Sequence, residues 1–81
     1  MTTATRPQLL SRSGCHLCDE MAHFLRELGV AFDLVDVDED AALSAAFGDA
    51  IPVLMQGGVE IARAPQSSRT LERTLRRCGV L

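Results

Sequence analysis

The chain has 81 residues, a formal net charge of −3 and three cysteines, and 47% of its residues are hydrophobic. This composition indicates one small globular domain and excludes a disordered chain. The negative charge argues against nucleic-acid binding, the odd cysteine count against a fully paired disulfide scaffold, and the short apolar runs against a membrane span or a secretory signal. We therefore expect a monomeric, cytoplasmic protein with neither nucleic-acid nor membrane partners.

Hydrophobic periodicity and turn residues predict seven elements after a frayed start at residues 1–7. These are a strand at 8–11, a helix at 15–28, a strand at 31–37, a helix at 38–48, strands at 53–56 and 59–62, and a helix from 67 or 68 to 78. The first helix is expected to bury one apolar face formed by Leu17, Met21, Phe24 and Leu28. Asp38 is the predicted cap of the second helix, and Ser67 or Ser68 that of the last.

The order of these elements, β-α-β-α-β-β-α, predicts the fold class. A strand, a helix and a second strand form a right-handed crossover with a parallel strand pair. Gly57 and Gly58 lie between two short strands and predict a tight hairpin, because both turn positions favour positive φ. The expected architecture is α/β, with a four-stranded mixed sheet flanked by helices in a single domain.

Cys15 and Cys18 lie where the first strand passes into the first helix, and ligand sites in open α/β sheets tend to lie at such strand ends. Their i,i+3 spacing brings the side chains to one side of the helix, within the range that a disulfide tolerates. The helix N-terminus favours the thiolate of Cys15 and lowers its pKa, so Cys15 is the predicted attacking sulfur and Cys18 the resolving one. His16 between them favours the thiolate further if it is protonated.

Two other interpretations of the cysteine pair stay open. Cys15, Cys18 and His23 match the C-x₂-C-x₄-H opening of a zinc knuckle, although Leu28 occupies the position of the fourth ligand. A zinc or iron–sulfur module, completed across a dimer, is therefore one alternative, but no metal ligand is predicted. A non-catalytic interaction protein or redox sensor is the other.

Three remaining features have structural explanations. Cys78 continues the apolar stripe of the last helix and is expected to be buried and inert. The acidic run at 36–40 is better explained by helix capping than by a cation site, since it lacks the pattern of a calcium loop. The arginines of the last helix are interpreted as a solvated face.

The segments "SRSGCHLCDEM", "FLRELGVAFDLVDVDED" and "IPVL" together resemble the thioredoxin fold in its glutaredoxin form, and in particular a group of small bacterial glutaredoxin-like proteins. The resemblance extends from about residue 8 to residue 79. It implies thiol–disulfide exchange, with Cys15 as nucleophile and Cys18 as resolving thiol. Pro52 matches the family's cis-proline opposite the active disulfide, and the Ile51 backbone would pair with a bound substrate chain.

The same resemblance suggests how a substrate is bound. Arg12 takes the place of a lysine that lies near the glutathione carboxylate in glutaredoxins. Ala62, Arg63 and Gln66 replace the family's Gly, Gly and Asp, which disfavours close approach of glutathione. The N-terminus of the last helix at Ser67 offers an anion site, which Arg63 either helps or blocks. The expected activity is reduction of protein disulfides or glutathione mixed disulfides, without a cofactor other than glutathione as candidate reductant.

Overall fold

The computed structural model describes residues 6–64 and 66–81. Its elements are β1 (Gln8–Ser11), α1 (His16–Glu27), β2 (Asp33–Asp36), a 3₁₀ turn (Val37–Glu39), α2 (Ala41–Phe47), β3 (Val53–Gln56), β4 (Val59–Arg63) and α3 (Ser68–Arg77). The predicted order of strands and helices is confirmed, with one 3₁₀ turn added between β2 and α2. Within the described ranges, no helix is long and apolar enough to cross a membrane.

The four strands form one mixed sheet in the order β2-β1-β3-β4. β1 runs parallel to β2, with Leu9 opposite Leu34, and antiparallel to β3, with Leu10 opposite Val53. β4 adds an antiparallel edge through the hairpin at residues 57 and 58, where both glycines have positive φ. The predicted fold class, a four-stranded mixed sheet with flanking helices, is therefore confirmed.

The two central strands supply apolar side chains to both faces of the sheet, because successive residues of a strand point to opposite sides. One face carries the larger core, which joins the sheet to α1 and α3 and whose fully buried leucines are Leu9, Leu25, Leu54, Leu71 and Leu75. The other face packs Leu10, Val37 and Val53 against α2. The sheet therefore has a core on each of its faces.

The buried face of α1 differs from the predicted one. Its buried residues are Cys18, Met21, Ala22 and Leu25. They follow the i, i+3, i+4, i+7 pattern of an amphipathic helix, which the expected stripe of large side chains missed because it left out Cys18 and the small Ala22. Leu17, expected inside, is 44% exposed, and Phe24 and Leu28 are only partly buried.

The acidic run after β2 caps two short helical segments instead of one. Asp36 accepts a hydrogen bond from the Asp38 N–H at the 3₁₀ turn, and Asp40 accepts from the N–H groups of Ala42 and Leu43 at α2. The capping interpretation of this run is confirmed, but the choice of Asp38 as cap is wrong. Val37 is fully buried, and the turn that buries it delays the start of α2.

The C-terminal helix begins and ends close to its predicted bounds, but the side chain at its end is not the one expected inside the protein. The Ser67 hydroxyl caps α3 by accepting the Thr70 N–H at 3.2 Å. The expectation that Cys78 is buried is wrong, because this residue is exposed at the helix end. The chain reverses at Gly79, and Val80 folds back onto the core with its N–H bonded to Leu75 O, as in a Schellman turn. Val80 therefore takes the place that the sequence pattern assigned to Cys78.

The start of the chain is attached to the sheet from residue 6 onward. Arg6 pairs with Asp33 at 3.2 Å, and the buried Pro7 accepts a hydrogen bond from the Asp33 N–H. Of the segment predicted to be frayed, residues 1–5 lie outside the described residues.

Substitution of Leu54 by alanine tests the position of the core. Leu54 is fully buried on the central strand β3, so we expect Leu54→Ala to lower the free energy of unfolding by about 2–5 kcal/mol in denaturant titrations. Leu34→Ala is the matched control, since Leu34 is 62% exposed, and a change within about 0.5 kcal/mol is expected there. Equal losses for the two variants would contradict this assignment of the core.

Candidate active site

The loop between β1 and α1 presents Cys15 at the start of the helix. Gly14 has a φ of 80°, a conformation that glycine adopts without steric cost. The chain then turns so that the Cys15 N–H bonds to Arg12 O at 3.1 Å. Cys15 becomes the N-cap of α1, and its sulfur accepts the Cys18 N–H at 3.1 Å. A thiolate at this position therefore lies next to the positive end of the helix dipole.

Cys15 and Cys18 form a disulfide, with their Cα atoms 5.2 Å apart. The two cysteines differ sharply in exposure, because Cys15 is partly exposed whereas Cys18 is 1% exposed and belongs to the buried face of α1. His16 begins the helix between them and is exposed. An external reactant therefore reaches the sulfur of Cys15 and not that of Cys18.

The strand register brings the other predicted site residues to the same end of the sheet. Leu10 lies opposite Val53 on the antiparallel strand β3. Pro52, one residue before Val53, therefore lies at the level where β1 passes into the cysteine loop. Pro52 is buried, Ile51 is partly buried, and the peptide bond between them is cis. Arg63 pairs with Val53 at the end of β4 and therefore belongs to this end as well.

Arg12 is engaged within the protein. Its Nε and Nη2 atoms donate to the Asp38 carboxylate at 2.9 to 3.1 Å, and its Nη1 atom donates to Gly48 O at 3.2 Å. The hydrogen bond with Asp38 raises the pKa of Arg12, which stays charged. This pairing joins the cysteine loop to the 3₁₀ turn and to the end of α2. Whether Arg12 also binds a substrate carboxylate stays a prediction, but Asp38 already neutralises its charge.

Arg63 and Ser67 also have partners of their own. Arg63 Nη2 donates to Glu60 Oε1 at 2.7 Å, and this hydrogen bond lowers the pKa of Glu60 and raises that of Arg63. Ser67 is the cap of α3, and its hydroxyl also donates to Thr70 Oγ1 at 3.0 Å. Both side chains therefore already form hydrogen bonds within the protein, and their role in substrate binding stays a prediction.

The zinc pattern noted in the sequence is not assembled around the cysteines. His23 Nε2 lies 3.1 Å from Glu27 Oε1, and both side chains are exposed on α1. Across residues 6–64 and 66–81, no three His, Cys, Asp or Glu side chains come close enough together to hold a metal ion.

A cleft of about 530 Å³ opens beside the cysteine loop and was not foreseen from the sequence. It lies between the start of α1 and the edge strand β2, and its lining residues are Ser11, Arg12, Ser13, Gly14, Asp19, Leu34, Asp36 and Glu39. Polar residues that follow two neighbouring parallel strands were the available signal, because the carboxyl ends of such strands meet at one edge of a sheet. The capping interpretation explains Asp36 but does not predict that Asp36 and Glu39 line a cleft.

Comparison with known proteins gives a consistent family and fold. The family model of the glutaredoxin-like domain (DUF836) matches residues 7–76. An uncharacterized protein of Mycobacterium tuberculosis is 40% identical in an alignment of 67 positions, and the match covers 69% of this chain and 69% of the other. Among solved structures, target protein XcR50 from X. campestris has a TM-score of 0.80 and 36% identity, covering 88% of this chain and 96% of the other.

A glutaredoxin from Archaeoglobus fulgidus superimposes with a TM-score of 0.64 at 17% identity, covering 89% of this chain and 87% of the other. At that identity the likeness concerns the fold alone. It confirms the thioredoxin-like fold that the resemblance of the sequence implied.

Alkylation of the reduced protein tests the asymmetry of the cysteine pair. With limiting iodoacetamide at neutral pH, we expect Cys15 to react at least about tenfold faster than Cys18, because Cys15 is more exposed and its thiolate lies at a helix N-terminus. Exposed Cys78 serves as the internal reference, and peptide mass mapping gives the three rates. A rate for Cys15 no higher than that for Cys78 would contradict thiolate stabilisation at the helix start.

Proposed function

The chain belongs to the family of the glutaredoxin-like domain (DUF836), and from this premise we propose that it is a thiol–disulfide oxidoreductase that reduces protein disulfides or glutathione mixed disulfides. The observation that carries the proposal is the pairing of a partly exposed Cys15 at a helix N-cap with a buried Cys18 one turn later. This combination suits a dithiol exchange reaction, because the accessible sulfur meets the substrate and the buried one is left to resolve the mixed disulfide.

The first step is attack by the Cys15 thiolate on one sulfur of the substrate disulfide. A bond forms between Cys15 Sγ and that sulfur, the substrate S–S bond breaks, and the other substrate sulfur leaves as a thiolate. The Cys18 N–H, 3.1 Å from Cys15 Sγ, and the helix dipole stabilise the attacking thiolate before the reaction. The product of this step is a mixed disulfide between Cys15 and the substrate.

The second step releases the substrate. The Cys18 thiolate attacks Cys15 Sγ, the Cys15–Cys18 bond forms, and the remaining substrate sulfur leaves as a thiolate. Two electrons have then passed from the protein dithiol to the substrate. The Cα atoms are 5.2 Å apart, within the usual range for disulfides, and both cysteines lie on one helical turn. Closure of the disulfide therefore needs little movement of the backbone.

The residues around Cys15 supply the proposed contacts to the substrate. The register of β1 and β3 supports Ile51 and Pro52 as the segment along which an extended substrate chain lies. Arg63 and Ser67, at the same end of the sheet, are proposed to face the substrate's polar groups. His16 is proposed to influence the reactivity of Cys15 through its position between the two cysteines.

Glutathione is the proposed reductant that returns the Cys15–Cys18 disulfide to the dithiol, and no other cofactor is proposed. The zinc or iron–sulfur alternative has no specific observation in its favour, since His23 pairs with Glu27. A monomeric state and a location in the cytoplasm stay predictions.

Single serine substitutions test the division of roles between the cysteines. With hydroxyethyl disulfide as substrate, we expect Cys15→Ser to lower the rate to that of the uncatalysed reaction, because the attacking sulfur is lost. Cys18→Ser should accumulate a mixed disulfide on Cys15, since no resolving thiol remains. Intact-protein mass spectrometry after acid quenching measures the adduct.

Cys78→Ser is the matched control, because it removes an exposed cysteine that no step uses, and its rate is expected within about twofold of the wild type. Activity that survives Cys15→Ser but is lost in Cys78→Ser would contradict the proposed mechanism.

A further inference from the structure

Charge selection by the active site is a property that the fold and the cysteine pair do not by themselves imply. We propose that the Cys15 site prefers disulfides that carry positive charge next to the sulfur over disulfides that carry negative charge there. This inference names the substrate class of the proposed oxidoreductase and rests on that function. It is carried by the state of Arg12 and by the cleft beside the cysteine loop.

The first observation is that Arg12, the cation of the cysteine loop, already pairs with a carboxylate of the protein. Arg12 directs Nε and Nη2 to both oxygens of Asp38 and Nη1 to Gly48 O. A bidentate pair of this kind fixes the guanidinium plane and offsets its charge locally. Gly48 is buried next to this pair. A side chain at this position would have no room, because its Cβ would lie 3.3 Å from Arg12 Nη2 and 2.5 Å from Ser44 O. The packing therefore holds Arg12 toward the protein.

The second observation is the charge of the cleft itself. Besides Arg12, the charged residues that line it are Asp19, Asp36 and Glu39. Asp36 is engaged as the cap of the 3₁₀ turn. The carboxylates of Asp19 and Glu39 are exposed and have no hydrogen-bond or ion-pair partner among the described residues. Within the described residues, one unpaired negative charge therefore lies in the first turn of α1, four residues after Cys15, and another lies in the 3₁₀ turn after β2.

The cleft is also lined by a buried hydroxyl and by an apolar side chain. Ser11 lines it and is only 7% exposed, yet its hydroxyl has one long contact in the described chain, 3.5 Å to Arg12 O. That distance exceeds the usual O–H···O range, so the hydroxyl keeps capacity for a stronger partner. Leu34 adds an apolar wall and is 62% exposed. A side chain with an apolar stem and a cationic head, such as lysine or arginine, matches this lining.

The reaction with such a substrate is the exchange already described. The Cys15 thiolate attacks the substrate disulfide and displaces one substrate thiolate, and Cys18 then displaces the second. Selection acts before the first bond forms, because the negative cleft raises the local concentration of cationic disulfides and lowers that of anionic ones.

Small disulfides that differ in charge give the test. The reduced Cys78→Ser protein is mixed with cystamine, a dication, with hydroxyethyl disulfide, which is neutral, and with dithiodipropionate, a dianion. Single-turnover rates are divided by those of free dithiothreitol with the same disulfides. The normalised rate for cystamine should exceed that for dithiodipropionate by about tenfold or more at low salt, as expected for a few charges within about 10 Å. The ratio should fall toward one at about 1 M salt.

Two double variants locate the effect. Asp19→Asn with Glu39→Gln should lower the cystamine-to-dithiodipropionate ratio by at least about threefold, and the hydroxyethyl disulfide rate of the same variant is the neutral reference. Glu27→Gln with Glu72→Gln removes the same charge at the far end of α1 and on α3, and should leave the ratio unchanged. Circular dichroism checks that each variant is folded.

The outcomes separate this inference from the proposed function. No reduction of the neutral disulfide overturns the oxidoreductase itself. Reduction of the neutral disulfide with equal normalised rates for the charged ones, or with the anion preferred, overturns the charge selection alone. An equal drop in the ratio for both double variants shows an effect of total charge and overturns the role of the cleft.

Discussion

The hydrogen bond from the Cys18 N–H to the Cys15 sulfur decides how the active end of this small protein is arranged. It fixes Cys15 as the N-cap of α1 and so places Cys18 in the first turn of the helix, on the buried face. One sulfur is consequently accessible and next to the helix dipole, and the other is buried. The fold needs only a short strand, one glycine with positive φ and an amphipathic helix to produce this difference.

The Arg12–Asp38 pair gives this end of the protein its electrostatic character. It connects the loop after β1 to the turn after β2, and through Gly48 O to the end of α2. An arginine next to a reactive cysteine would ordinarily attract anions. Here three hydrogen bonds to one carboxylate commit it to the protein, and the carboxylates of Asp19 and Glu39 are left without partners among the described residues. The Arg12–Asp38 pair joins the loops and, in the proposed charge selection, leaves the cleft beside Cys15 with a net negative charge.

Most of the fold follows from local patterns. The glycine pair at residues 57 and 58, the Ser67 cap and the cysteine motif each act over a few residues, and each was predictable. The predictions that were wrong concern residues for which the local pattern allowed more than one arrangement and tertiary packing determined the outcome. Cys78 continued an apolar stripe, but the chain reversed at Gly79 and Val80 covered the core instead. Several acids of the run at 36–40 were able to cap a helix. Asp38 pairs with Arg12 and Val37 is buried, and the caps are Asp36 and Asp40.

A redox titration tests the central claim, that Cys15 and Cys18 form a working dithiol–disulfide couple. The Cys78→Ser protein would be equilibrated in glutathione buffers of graded potential, quenched with an alkylating agent and analysed by intact mass. We expect a two-electron transition between dithiol and internal disulfide, with a midpoint near the glutaredoxin range of about −200 to −230 mV. Absence of an internal disulfide even in the most oxidising buffer would contradict the exchange mechanism.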